Sequence, residues 1–269
     1  MFSTNRNIKL IYPMIIILCI VVGFAGYGIY KHEQNQNAMI RRQQIEVVRL
    51  KEDVNKLKRP IAVKWLDNGF NYLAIGNSIT IHPITDFWYN ENGMAATKKE
   101  KDFVHRIASG IKWGGKIYVH SYNFYVWEVQ AHDRAECLTL LDKYLDLRLN
   151  LITVQLSENV TDLHTFKSDF AELIRYIKAK APKAKIVIID DFWDKGEKAA
   201  IKKQVAQKER VQFISLAKIK DDVSYQCGLG TVVFDENGTA HVVEHKGVAK
   251  HPGDKGMEYI ANAVLQVLQ

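Results

Sequence analysis

Cysteine is scarce. The chain of 269 residues holds three, Cys19, Cys137 and Cys227, and contains no Cys-x-x-Cys. A disulfide-stapled scaffold is thereby excluded. Glycine (16) and proline (5) are too few for a collagen-like or low-complexity chain, and no internal repeat is present. Excess charge is also missing where it would matter. The formal charge is +7, yet residues 1–60 carry 10 Lys/Arg against 4 Asp/Glu, and residues 61–269 carry 27 against 26. The larger part is nearly neutral, so a nucleic-acid-binding function loses its electrostatic footprint. What remains is globular material. A share of 47% apolar and 25% charged residues supports a packed core and excludes disorder as the dominant state. The length suits one domain with extras.

One long uncharged run stands out. Leu10–Tyr30 spans 21 residues without a charge. At ~1.5 Å per residue it matches the ~30 Å of a bilayer core. Arg6 and Lys9 precede it and Lys31 follows. A secretory signal peptide cut near Gly23-Phe24-Ala25 is the rival reading, but the apolar run continues to Tyr30, which favours an uncleaved anchor. Cys19 does not read as a lipoprotein cysteine, because Leu18 is bulky where a small residue is wanted. Positive charges are nearly balanced across the run. The short N-terminal tail then decides orientation: residues 1–9 inside, 10–30 crossing the cell membrane once, the rest extracytoplasmic. Beyond the anchor, Ile40, Val47 and Val54 recur every seven residues, with Gln43, Leu50 and Leu57 at the complementary positions. Residues 31–60 therefore read as a solvated spacer helix or as a coiled-coil stalk pairing two copies. Pro60 ends that helix and marks the boundary of a domain over residues 61–269.

From there strands and helices alternate. Asn71–Ile75, Lys116–Val119, Leu149–Leu156, Lys185–Ile189 and Val211–Ile214 read as strands. Thr97-x-x-Glu100 reads as a capping box opening a helix to about Ile111, striped by Phe103, Val104, Ile107 and Ala108. Helices are also expected over Asp133–Leu145 (Cys137 inward), Asp162–Lys180, Lys195–Gln207 and Asp254–Leu268. Residues 220–247 are ambiguous, with turn signals at Gly228-Leu229-Gly230 and Asn237-Gly238. Alternating β and α units predict an α/β fold, an open five-stranded parallel sheet with helices on both faces. Ligands of such sheets bind at the carboxyl ends of the strands.

Three polar segments fall at that edge or open the last helix: Gly76-Asn77-Ser78-Ile79-Thr80, Ser157-Glu158-Asn159, and His251-Pro252-Gly253-Asp254. A hydroxyl, an imidazole and an amide are the parts that acyl transfer needs: nucleophile, general base and oxyanion donor. No ligand set at metal-binding spacing is evident, Asp190-Asp191 included. Lys198, Lys202 and Lys203 read as a solvated helix face. Cys137 and Cys227 are far apart in sequence, with pairing outside the cell left open.

These segments resemble the SGNH (GDSL-like) hydrolases over residues 70–269. Gly76-Asn77-Ser78-Ile79-Thr80 is similar to the family's Gly-Asp-Ser-Leu block, with Asn for Asp. Leu156-Ser157-Glu158-Asn159 is similar to its Gly-x-Asn-Asp block, with Ser for Gly, and His251-Pro252 to its C-terminal His block. The resemblance implies a three-layer α/β/α sandwich of flavodoxin-like order and cofactor-free hydrolysis of esters. It implies Ser78 as nucleophile, His251 as base, and Asn159 with the Ser78 N–H as oxyanion donors. Two departures accompany it. The family's Asp three residues before the His is here Val248, leaving a backbone carbonyl or Glu244 to orient the imidazole. The family's oxyanion glycine falls in Asn123–Glu128, which has no glycine; Gly93 is a substitute displaced in sequence. Asn77, His82, Tyr125, Trp127 and Glu128 are the candidate pocket residues. With the anchor, the expected protein is a membrane-tethered serine esterase acting on O-acyl, above all O-acetyl, groups of envelope carbohydrate. An O-acyltransferase uses the same residues, and an inactive scaffold module is the alternative that Val248 favours.

Overall fold

The computed structural model describes residue 31 and residues 62–269, except 194, 195 and 221. The expected tail, anchor and stalk, with Cys19, lie outside the described residues apart from Lys31. Among the described residues no helix is long and apolar enough to cross a membrane.

Five parallel strands carry the domain: β1 (Phe70–Gly76), β2 (Ile117–Asn123), β3 (Leu151–Gln155), β4 (Lys185–Ile189) and β5 (Gln212–Ile214). Their order is β2-β1-β3-β4-β5. The chain leaves β1 for β2 on one side and returns to β3 on the other. That reversal opens a crevice at the carboxyl ends of β1 and β3, the topological switch point. The Ser78 and Ser157–Asn159 segments follow these two strands directly.

Side chains of β1 alternate between the faces, as the two-residue period of a strand requires. Leu73 and Ile75 join Ile152, Val154, Ile186 and Ile188 under α4 (Phe166–Lys180) and α5 (Glu197–Glu209). Tyr72 and Ala74 join Leu151, Val187 and Ile189 under α1 (Phe103–Gly110) and α7 (Asp254–Leu268). Helix, sheet and helix make three layers, the architecture that the alternating pattern predicts.

Two local expectations are corrected. The helix α1 is capped by Asp102, whose carboxylate accepts from His105 N at 2.7 Å, and not by Thr97. Thr97 gives its N–H and hydroxyl to Asp254 at 2.8 and 2.7 Å, tying the loop to the start of α7, while Glu100 lies exposed in a 3-10 turn. The helix expected over Asp133–Leu145 is short, α3 (Arg134–Cys137), followed by a 3-10 turn that brings Leu138 and Leu141 into the core. Another short helix, α2 (Tyr125–Val129), follows β2 directly. Cys137 packs in the core under α4, while Cys227 borders a separate cluster, and no disulfide joins them.

The ambiguous stretch folds as an antiparallel hairpin, β6 (Val232–Phe234) and β7 (Ala240–Val242), turned at Asn237-Gly238 with Gly238 at φ +81°. Its inward Val233 packs with Trp88, Met94, Val243 and Val248. The one-turn helix α6 (Lys246–Ala249) then leads to His251.

Candidate active site

Ser78 sits just past β1, where the backbone turns sharply. Asn77 shapes that turn: its carbonyl accepts from Thr80 N and Ile81 N at 3.0 Å each, and its Oδ1 accepts from Ile79 N at 3.1 Å. Gly76 makes the turn fit. A Cβ there would lie 1.9 Å from Thr80 Oγ1 and 2.8 Å from the Gln155 carbonyl. The Ser78 hydroxyl is left facing His251, with Oγ 2.9 Å from Nε2.

His251 is oriented from behind by a carbonyl. Its Nδ1 lies 2.8 Å from Gly247 O. A carbonyl only accepts, so Nδ1 carries the proton and Nε2 presents a lone pair to the Ser78 hydroxyl. Glu244 is exposed and does not take this role. Val248, at the position where the resemblance would put an Asp, is 1% exposed among apolar side chains. A carboxylate there would be buried without a partner, which is strongly unfavourable. Trp193 packs edge-on against the imidazole, ring centres 4.7 Å apart, and its indole N–H donates to Lys250 O at 3.1 Å. Burial pushes the His251 pKa down to about 4; the Gly247 hydrogen bond opposes the shift, and His82 and His245 add to it.

The Asn159 side chain faces Glu128. Its Nδ2 donates to Glu128 Oε2 at 2.6 Å. Glu128 Oε1 accepts from Asn77 Nδ2 at 2.9 Å and from Ser157 N at 2.5 Å. The carboxyl group is 1% exposed, and burial raises its pKa against the pull of these three donors. The Ser78 N–H has no acceptor among the described residues.

Beneath Asn159 the loop is held by ions. Ser157 adopts φ +108°, a region that non-glycine residues occupy at a cost of about 1–3 kcal/mol. Its hydroxyl donates to Asp191 at 2.7 Å, and Lys202 Nζ reaches Leu156 O at 2.7 Å and Asp191 Oδ1 at 2.8 Å. Lys198 Nζ donates to Ser157 O at 2.6 Å and lies 3.4 Å from Asp191 Oδ2. Lys198 and Lys202 are therefore buried rather than solvated; Lys203 is exposed as expected. Asp190, the neighbouring carboxylate, meets Lys220 at 3.0 Å. Among the described residues no group of three or more His, Cys, Asp or Glu side chains is arranged to hold a metal ion.

The structure thus brings Ser78 and His251 together, and Asn77, Glu128 and Asn159 beside one another. Gly93, Trp127 and Tyr125 are placed elsewhere. Gly93 is buried and its N–H turns to Asp102 Oδ2 at 3.4 Å, so it offers nothing to an oxyanion. Trp127 is fully buried in the core under α4. Tyr125 is exposed on α2. His82 is half-buried, with Nδ1 2.7 Å from Pro83 O and its ring tilted against Phe87. Sequence reasoning passed over Trp193 as a site residue, though it follows the carboxyl end of β4. It also missed Asp191 with its two lysines, for which no local signal exists.

No family model matches the chain, and no curated protein matches it. Solved structures do match. A two-domain esterase active on acetylated mannans aligns at 17% identity and a TM-score of 0.47, covering 74% of this chain and 48% of that one. The chain thus spans about half the length of that protein. A phospholipase A1 from Streptomyces albidoflavus aligns at 12% identity over 74% of this chain and 98% of its own, TM-score 0.48. An acetyl xylan esterase from Geobacillus stearothermophilus aligns at 13% identity over 73% and 93%, TM-score 0.45.

Proposed function

We propose that this protein is a serine ester hydrolase of SGNH type. The observation that carries the reading is the 2.9 Å approach of Ser78 Oγ to a His251 Nε2 whose other nitrogen is engaged by Gly247 O. Ser78 Oγ attacks the ester carbonyl carbon while its proton passes to Nε2. The oxyanion is held by the Ser78 N–H and the Asn159 amide. Collapse of the tetrahedral intermediate expels the alcohol, which takes the proton back from Nε2. Water then attacks the acyl-serine, again giving its proton to His251. The second collapse releases the acid and returns the proton to Ser78. The imidazolium formed at each attack is supported by the Gly247 carbonyl in place of a carboxylate, a weaker partner whose absence of charge slows but does not abolish turnover.

O-acetyl groups on envelope carbohydrate are the substrate class within this reading. Half-exposed Trp193 beside His251 supports it, since an indole face suits the apolar side of a sugar ring. The uncharged run Leu10–Tyr30 supports a membrane tether with the domain outside. An inactive scaffold is the second reading, favoured by Val248 in the place of the acid. Full-length protein in detergent, given a fluorophosphonate probe and an acetyl ester, separates the two. The expectation is labelling and turnover in the wild type, and loss of both by about 10⁴-fold in Ser78→Ala and His251→Ala. A folded wild-type chain that neither labels nor turns over would establish the scaffold. Transfer of acetyl to a sugar hydroxyl faster than to water would make the protein a transferase.

A further inference from the structure

We propose that Glu128 is a positioning residue that fixes which end of the Asn159 side-chain amide faces the reacting oxygen. The role rests on the ester hydrolase reading above. A side-chain amide has two ends of nearly equal shape, one donor and one acceptor, and only the donor end stabilises an oxyanion. Asn159 lies exposed on a turn, so the choice of end must be imposed by a neighbour.

Glu128 imposes it through partners that cannot themselves turn over. Ser157 N, a backbone donor, points at Oε1 from 2.5 Å. Asn77 Nδ2 points at the same oxygen from 2.9 Å, and Asn77 is locked that way because its Oδ1 accepts from Ile79 N at 3.1 Å. Oε1 is thereby an acceptor of two fixed donors. When ionised, the carboxylate offers a second acceptor, Oε2, and the amide nitrogen of Asn159 meets it at 2.6 Å. One N–H of Asn159 is spent on Glu128 and the other is left for the substrate. The same carboxylate joins the turn of the nucleophile, through Asn77, to the loop of the oxyanion donor, through Ser157 and Asn159. Glu128 reaches both because α2 begins directly after β2, with Phe124 N hydrogen-bonded to Gly76 O at 2.6 Å.

Glu128→Gln separates orientation from bulk. Gln has the same shape, and its carbonyl takes over the two fixed donors. Its amino group then confronts Asn159, which must turn its carbonyl inward and withdraw the donor from the site. In full-length protein kcat should fall about 100-fold, as for loss of an oxyanion donor, with KM within about twofold and the melting temperature little changed. Asn159→Ala should lose a similar amount. Added to Asn159→Ala, Glu128→Gln should cost no more than about another twofold, because its effect runs through Asn159. Glu128→Asp keeps the acceptor on a shorter arm and should fall between; the same non-additivity is required of it if the Gln variant does not fold. Losses that multiply in the double variant, or a raised KM with kcat intact, would overturn the role while leaving the hydrolase standing. A wild type that neither labels nor turns over would remove both.

Discussion

Around His251 the neighbours are a backbone carbonyl, an indole and two further histidines; around the loop that carries Asn159 they are ions. Gly247 O and Trp193 contact the imidazole, and His82 and His245 act on its charge, whereas Glu128, Asp191, Lys198 and Lys202 surround residues 156–159. The difference follows from what each part must do. In the proposed mechanism His251, as the base, has to change charge during turnover. A fixed anion beside it would bias it toward the protonated form, and neutral walls keep it ready to accept. The loop over residues 156–159 holds a backbone angle that Ser157 resists. Paired ions with several hydrogen bonds each supply directional restraint there, at the expense of desolvating them.

The largest expected effect breaks the ionic side. Lys202→Met leaves Asp191 buried with Lys198 as its remaining cation, at 3.4 Å. Unfolding free energy from denaturant titration should drop by about 3 kcal/mol. A change below about 1 kcal/mol would mean that the network does not carry the loop.

A smaller effect asks what the Ser157 hydroxyl does. Ser157→Ala keeps the unfavourable φ and loses the bonds to Asp191, for an expected cost of about 2 kcal/mol. Ser157→Gly loses the same bonds but relaxes the backbone, and should be more stable than the Ala variant by about 1 kcal/mol. Equal stabilities would show that the angle is not strained.

The mildest probe leaves the sequence intact and tests the neutral side. The base works unprotonated, and its pKa is held down to about 4. In an NMR pH titration the His251 ring signals should therefore stay level on acidification past the ordinary histidine value of about 6.5 and move only as pH drops through about 4. A transition near 6.5 would show that the ring is solvated in the working protein.

Much of this architecture is legible in the sequence where one short stretch decides the outcome. Lys185–Ile189 is an apolar run that suits a buried strand, and Asp254–Leu268 has a continuous helical stripe; both elements have the expected bounds. Ser78 and His251 were singled out from short motifs, and the fold sets them within hydrogen-bonding distance. What stayed illegible depends on partners distant in the chain. Lys198 and Lys202 on a polar helix look solvated until the end of β4 places Asp191 under them. Thr97 and Glu100 fit a capping box, but Asp254 claims Thr97 and Asp102 caps the helix. Trp127 and Glu128 are adjacent in sequence, yet the helix sends one into the core and the other to the site.

Ser78 and His251 meet across 173 positions of sequence. Closing so wide a loop comes after the local helices and hairpin have formed, since distant contacts carry the larger entropic toll. So wide a separation makes the Ser78–His251 contact an expected late product of folding, formed when α7 docks against α1. A nascent or truncated chain with its first strands in place would hold the nucleophile but no base. The hydroxyl of such an intermediate has no imidazole beside it, and the proposed chemistry waits for α7 to dock.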